Sequence, residues 1–259
     1  MTNEVVVVGG GPTGLMLASE VRLAGVRAIV FERLSKPTGL SKALGLQART
    51  MEMLDHRGLL ERFSEGACAP PFLNFGMFPL DLRSLDFPHP HGLIIPQARV
   101  EQLLEEHAIQ LGVEIRRGHE VTDLSQDRDS VTAEVSGPDG TYEIRAQYLV
   151  GCDGGHSVAR QRGGFAFPGV EPTLIGRMGD VRVSSEGLRL VKEAVPELGG
   201  AILELLEPRP ATLQSCPWAQ VSIAWQQSNG TSRPSTRKPP SLSKSCMQQF
   251  AAWPISICR

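Results

Sequence analysis

Four consecutive valines, Val5 to Val8, run straight into Gly9-Gly10-Gly11-Pro12-Thr13-Gly14. No other feature limits the fold as strongly. A short, fully apolar run suits a parallel strand buried on both faces. Leu15 to Ala24 then reads as a helix with Leu15, Ala18 and Val21 on one side, ended by Gly25. Arg27 to Glu32 reads as a second strand. Strand, tight turn, helix and strand make a βαβ unit, so the chain belongs to the α/β class.

The glycine spacing has a physical basis. Gly9, Gly11 and Gly14 fit G-x-G-x-x-G at the opening of a helix. The first glycine permits the turn, the second lets backbone approach a pyrophosphate, and the third lets helix and strand pack closely. Free N–H groups and a partial positive charge at the helix start favour phosphate. Pro12 is compatible with the first helical turn, where N–H groups have no helical partner. Glu32 closes the second strand 18 positions after Gly14, where an acid is expected to accept from a ribose hydroxyl. A carboxylate there disfavours a 2′-phosphate, so NADP is not expected in this site. The fingerprint alone does not separate FAD from NAD.

Further along, Thr50 to His56 and Gln97 to Leu111 read as helices. The second carries a stripe of Val100, Leu103, Leu104, Ala108 and Leu111. Strand patterns follow at 113–117, 120–124, 131–135 and 142–146, with a turn at Pro138-Asp139-Gly140. The apolar strand 148–152 leads into Asp153-Gly154-Gly155-His156-Ser157-Val158-Ala159-Arg160, the pattern D-G-x-x-S-x-x-R, and a short helix is expected from Ser157 to Arg162.

With this second motif the chain resembles the FAD-dependent aromatic hydroxylases of the para-hydroxybenzoate hydroxylase type. It is most similar to the actinomycete branch acting on polyketides, rifamycins and related phenols. Ser41 to Thr50 and Pro96-Gln97 also match, and the resemblance covers about residues 4 to 200. It implies that Gly9, Gly11, Pro12, Thr13 and Gly14 hold the FAD pyrophosphate. Glu32, with Arg33 beside it, would bind the adenosine ribose. Lys42, Arg49 and Gln97 would approach the flavin end, and Asp153 would serve both FAD and NADPH. His156 stands where relatives often have Arg. NADPH or NADH would visit transiently to reduce FAD, molecular oxygen would add as a C4a-hydroperoxide, and an aromatic substrate would be hydroxylated. The resemblance gives no side chain a catalytic role of its own. Read from the residues alone, Lys42 also fits a loop lysine, Arg49 a helix-capping or solvating residue, and Asp153-Gly154 a strand-ending turn.

The family's third flavin motif, an apolar strand with Gly-Asp followed by Ala-His, has no match. Gly179-Asp180 reads better as part of a substrate-side strand. From Pro208 to Arg259 the chain has no Asp or Glu, yet holds all 3 Trp. The expected organisation is an FAD-binding βαβ domain at 1–165 with an antiparallel β insertion, residues about 70–96 serving the substrate side. A partial mixed-sheet substrate domain at 166–206 follows, and then an aberrant tail at 207–259, expected to be disordered. A frameshifted or truncated gene is the leading account of that tail, and a natural flexible arm the rival. A chain that holds FAD without turning over is the alternative function.

Other classes are weaker. A formal charge of -2 gives no electrostatic signature of nucleic-acid binding. No stretch is long and apolar enough for a membrane span, and no basic leader precedes Val5. Five cysteines without a CxxC pair fit a reduced, cytoplasmic setting. His89-Pro90-His91 lacks further metal-ligand spacing, and no G-x-S-x-G occurs. An NAD-linked dehydrogenase is disfavoured by the second motif. Substrate identity and oligomeric state are not encoded in any pattern.

Overall fold

The structure is a computed structural model. It describes residues 4–170, apart from 40, 41, 68, 70, 71, 76, 77, 85, 87 and 90, and the strand segments 174–177, 182–183, 225–228 and 255–256. Gly179-Asp180 lies outside the described residues. The chain divides into two units, Met1–Gly169 and Val170–Arg259.

The first unit opens with β1 (Val5–Val8), α1 (Pro12–Leu23) and β2 (Ala28–Glu32). There follow β3 (Gly45–Leu46), α2 (Ala48–Asp55), α3 (Leu60–Ser64), β4 (Phe72–Phe75), β5 (Phe78–Asp81) and β6 (Leu93–Ile94). Next come α4 (Gln97–Gln110), β7 (Glu114–Arg117), β8 (Glu120–Gln126), β9 (Val131–Gly137) and β10 (Gly140–Ala146). The unit closes with β11 (Tyr148–Gly151) and α5 (Val158–Arg162). The expected helices and strands are present with small shifts at their ends. The short β3, β6 and α3 and the β4–β5 hairpin carry too little periodicity to be read from sequence.

A parallel sheet in the order β11-β1-β2-β7 forms the middle layer. The period of two in a strand sends alternate side chains to opposite faces. Val6, Val8, Ile29 and Phe31 pack against Val121, Val131, Ala133, Val135 and Ala146 of the antiparallel sheet β10-β9-β8. Val5, Val7, Ala28 and Val30 pack on the other side with Ala18 of α1 and Ala108 of α4. This two-sided burial is why β1 and β2 are apolar at consecutive positions, whereas β9 alternates. The unit is therefore three layers deep, antiparallel sheet on parallel sheet on helices. A third cluster joins Leu15 of α1 to Met51, Leu54, Phe63, Leu93, Val100, Leu103 and Leu104.

In the second unit β12 (Leu174–Arg177) pairs antiparallel with β14 (Trp225–Ser228), and β13 (Arg182–Val183) with β15 (Ile255–Ser256). Two of these strands lie inside the carboxylate-free segment.

Candidate functional site

The C-terminal ends of β1, β2 and β11 meet at one place. Gly9 continues the ladder, its N–H donating to the Phe31 carbonyl at 2.8 Å. Its φ of +106° is a conformation L side chains rarely adopt, and an added Cβ would lie 2.5 Å from the Cys152 carbonyl oxygen. At Gly14 a Cβ would fall 2.0 Å from the Gly9 carbonyl oxygen. The third glycine is thus demanded by the turn itself. Gly11 is different, because among the described residues nothing beyond its own chain neighbours lies within 4 Å of where its Cβ would be. Open space beside backbone at a helix start is what an incoming phosphate needs. Helix α1 begins at Pro12, and no side chain caps its first N–H groups. Pro12 is half-buried and Thr13 exposed on this first turn.

Glu32 has a role that sequence reasoning missed. Its Oε2 accepts from the Gly10 N–H at 2.8 Å and its Oε1 from the Leu34 N–H at 2.9 Å. The carboxylate stitches the glycine turn to the end of β2. Each oxygen retains a lone pair for a further donor. Arg33 is exposed beside it. Only the fold makes this contact visible, since 22 positions separate Gly10 from Glu32.

Asp153 follows β11. Its Oδ2 accepts from the Val158 N–H at 2.6 Å and, more weakly, from that of Ala159 at 3.3 Å. Its Oδ1 is buried and has no hydrogen-bond partner among the described residues. A buried oxygen without a donor costs about 1–3 kcal/mol, and a water, a hydroxyl or an N–H satisfies it. Gly154 has φ +82°, which explains the glycine after the acid. Ser157 caps α5 by accepting from the Arg160 N–H at 2.9 Å. Burial, and then the Asp153 carboxyl, push the neighbouring Cys152 thiol up, so it is a poor nucleophile.

A second group forms where β3 pairs antiparallel with β6. The ladder is prolonged by the Ile95 N–H donating to Leu44 and the Gln97 N–H donating to Ala43, both at 3.0 Å. Lys42, exposed, is therefore beside the start of α4, where Gln97 donates to Glu101 at 2.7 Å. Arg49 stands exposed on the first turn of α2 and pairs with Glu52. The structure thus gathers Gly9, Gly11, Gly14, Glu32 and Asp153 at one place and Lys42 and Gln97 at another. Leu15 and Leu93 join both groups to one core. Among the described residues no group of His, Cys, Asp and Glu could hold a metal ion, and His89 Nε2 lies 3.1 Å from Asp55 Oδ2. Of the stretch at about 70–96 expected to serve the substrate side, residues 70, 71, 76, 77, 85, 87 and 90 lie outside the described residues.

A βαβ glycine turn, an acid closing the second strand and a buried acceptor at the end of β11 have the form of a dinucleotide-binding fold. The comparisons agree. The family described as FAD binding domain matches residues 2–252, and the chain belongs to it. The chain is 51% identical over 191 residues to the 12-dehydrotetracycline 5-monooxygenase/anhydrotetracycline 6-monooxygenase of Streptomyces rimosus subsp. rimosus. That match covers 72% of this chain and 37% of that protein. It is 48% identical over 198 residues to the rifampicin monooxygenase of Streptomyces venezuelae, covering 74% of this chain and 40% of that one. Among solved structures, CabE, an aromatic hydroxylase from angucycline biosynthesis, superposes with a TM-score of 0.74 at 34% identity. That superposition covers 97% of this chain and 48% of that one. The chain thus spans less than half the length of the curated relatives it matches.

Proposed function

We propose that this chain supplies the FAD-binding part of an NAD(P)H-dependent monooxygenase that hydroxylates an aromatic substrate of polyketide type. Asp153 Oδ1 carries the reading, because it is a buried acceptor without a partner among the described residues, at the strand end beside the glycine turn. The N–H groups at Gly11 to Thr13 would receive the pyrophosphate, with Gly9 and Gly14 keeping the turn tight. Glu32 would accept from an adenosine ribose hydroxyl while still holding Gly10, and Arg33 would flank it. Asp153 would accept from a hydroxyl of the cofactor's linker. Lys42, Arg49 and Gln97 would serve the flavin end. Bound FAD would supply the redox and oxygen chemistry. The names of the relatives favour phenolic polyketides as substrates. A second reading, a chain that holds FAD without turnover, draws on the share of the relatives' length covered here.

Titration of the full chain with FAD, followed by flavin fluorescence, tests the proposal, with Gly11→Val as control. A side chain at Gly11 meets open space, so the variant is expected to fold and to lose binding. Saturable binding by the wild type and none by the variant is the expected result. A folded wild type that binds no FAD would overturn the reading. Oxidation of NADPH by the loaded chain in the presence of a phenol would separate turnover from binding alone.

A further inference from the structure

Glu32 and Gln97 belong to the two groups of the candidate site, one at the glycine turn and one beside Lys42. Arg117, the last residue of β7, is tied to both. In the β2–β7 register it is the direct partner of Glu32. Register partners in a parallel sheet send their side chains to the same face. Here that face is the helix side, because Val30 and Ile115, two positions earlier on each strand, pack in the cluster that contains Ala108 of α4. Arg117 donates from Nε and Nη2 to the two oxygens of Glu105, at 2.8 and 2.7 Å. Both side chains are largely buried, 19% and 22% exposed. Along α4, Gln97, Glu101 and Glu105 recur every four residues and so share one face of the helix. Gln97 donates to Glu101 at the far end of that row. The hydrogen bonds to Glu105 do most to hold the Arg117 guanidinium above its ordinary range; burial opposes them, and the charges of Glu105, Glu32 and Glu101 add to them. Three carboxylates thus face one cation, and a guanidinium carries more donors than Glu105 uses. Without the cation the three would repel one another.

We propose that Arg117 is a positioning residue for the flavin nucleotide, its charge offsetting those of Glu32 and Glu101 and keeping both carboxylates where they hold the glycine turn and Gln97. Glu32 accepts from the Gly10 and Leu34 N–H groups, and Glu101 accepts from the Gln97 amide. Loss of the cation turns the two carboxylates away from each other. The Gly10 turn and the Gln97 side chain then each lose a fixed partner. Arg117 acts through these groups and is assigned no contact with the cofactor. Its effect on FAD rests on the reading above, while the carboxylate arrangement is a property of the chain without cofactor.

Arg117→Met, Arg117→Lys and the double variant Arg117→Met/Glu105→Met, made in the full chain, test the proposal. The double variant separates positioning from folding, because replacing both partners of a largely buried ion pair by apolar side chains leaves neither of them as a lone charge. It carries the test if Arg117→Met alone does not fold. Its melting temperature should stay near that of the wild type. Its Gly10 and Leu34 amides, which donate to Glu32, should nevertheless exchange with solvent about tenfold faster or more. Flavin titration should show FAD affinity lowered about tenfold or more in both Met variants. Arg117→Lys, which keeps the charge and loses the fork, should stay within about threefold of the wild type. Adding Glu101→Gln to the double variant removes a charge but keeps an oxygen for Gln97, and should recover most of both losses. Wild-type exchange and wild-type FAD affinity in the double variant would overturn the proposal and leave Arg117 a plain partner of Glu105. So would Arg117→Lys binding as weakly as Arg117→Met, or faster exchange with unchanged affinity. A wild type that binds no FAD defeats the flavin reading alone. The exchange rates, and their recovery by Glu101→Gln, then still decide whether Arg117 holds Glu32 in place.

Discussion

Gly11 and Gly14 stand three positions apart in one motif, yet an added methyl group would meet opposite surroundings. At Gly14 it would fall 2.0 Å from a backbone oxygen that belongs to the turn, and at Gly11 it would meet nothing. Gly14→Ala is therefore expected to destabilise the chain by about 1–3 kcal/mol or more, since the clash is with backbone. Gly11→Ala should leave the urea midpoint nearly unchanged while weakening FAD binding. Urea unfolding and flavin titration of both variants check the contrast. Asp153 offers a second test. Its Oδ2 caps the turn into α5, while its Oδ1 has no hydrogen-bond partner among the described residues. Asp153→Asn keeps one acceptor oxygen toward α5 and should reduce FAD affinity about tenfold or more, read by flavin titration. The glycines were legible in the sequence because their spacing is local. The Gly10–Glu32 bond was not, because its ends meet only when β1 and β2 pair.

Among the elements, the two-residue strands matter more than their length implies. β3 and β6 hold the segment around Lys42 against the start of α4, and Leu93 of β6 is buried in the core that also contains Leu15. Leu93→Ala is expected to cost about 2–5 kcal/mol and to loosen this junction. Urea unfolding, with exchange at the Ile95 and Gln97 amides, would show both effects. A pH effect arises where α1, α3 and α4 meet. Burial first, and then the Arg62 guanidinium, hold the His107 imidazole below its ordinary range, against the pull of Glu20. Because the folded value is depressed, the unfolded chain takes up the proton first as pH falls. The contribution to stability is thus present above about pH 6.5 and is lost as pH falls through the folded value. His107→Gln should reduce the loss of stability seen by urea unfolding between about pH 7 and pH 5. The long helix α4 was visible from its stripe. Strands of two residues leave no periodic trace, and their existence depends on partners far along the chain.

For the molecule as a whole, every described core cluster lies within residues 5–159. A ligand held by the ends of three strands in that region should couple to its global unfolding. FAD at about 100 times its dissociation constant is expected to add about 2.7 kcal/mol of stability. Thermal melts across an FAD series check this, and a midpoint that stays fixed while binding saturates would separate the site from the fold. No helix among the described residues is long and apolar enough to cross a membrane.

The sequence by itself determined the βαβ opening, the glycine turn, the acid of β2, the amphipathic α4 and the D-G turn after β11. Each is specified within a window of a few residues, by apolar periodicity or by a backbone conformation that only glycine takes freely. The tertiary structure alone decided that Glu32 ties the turn to β2 and that Asp153 keeps one oxygen unpartnered. It also decided that Ala43 and Gln97 are bonded through their backbones. Those properties belong to pairs of segments, and the free energy that selects them comes from burial and hydrogen bonding between residues distant in the chain.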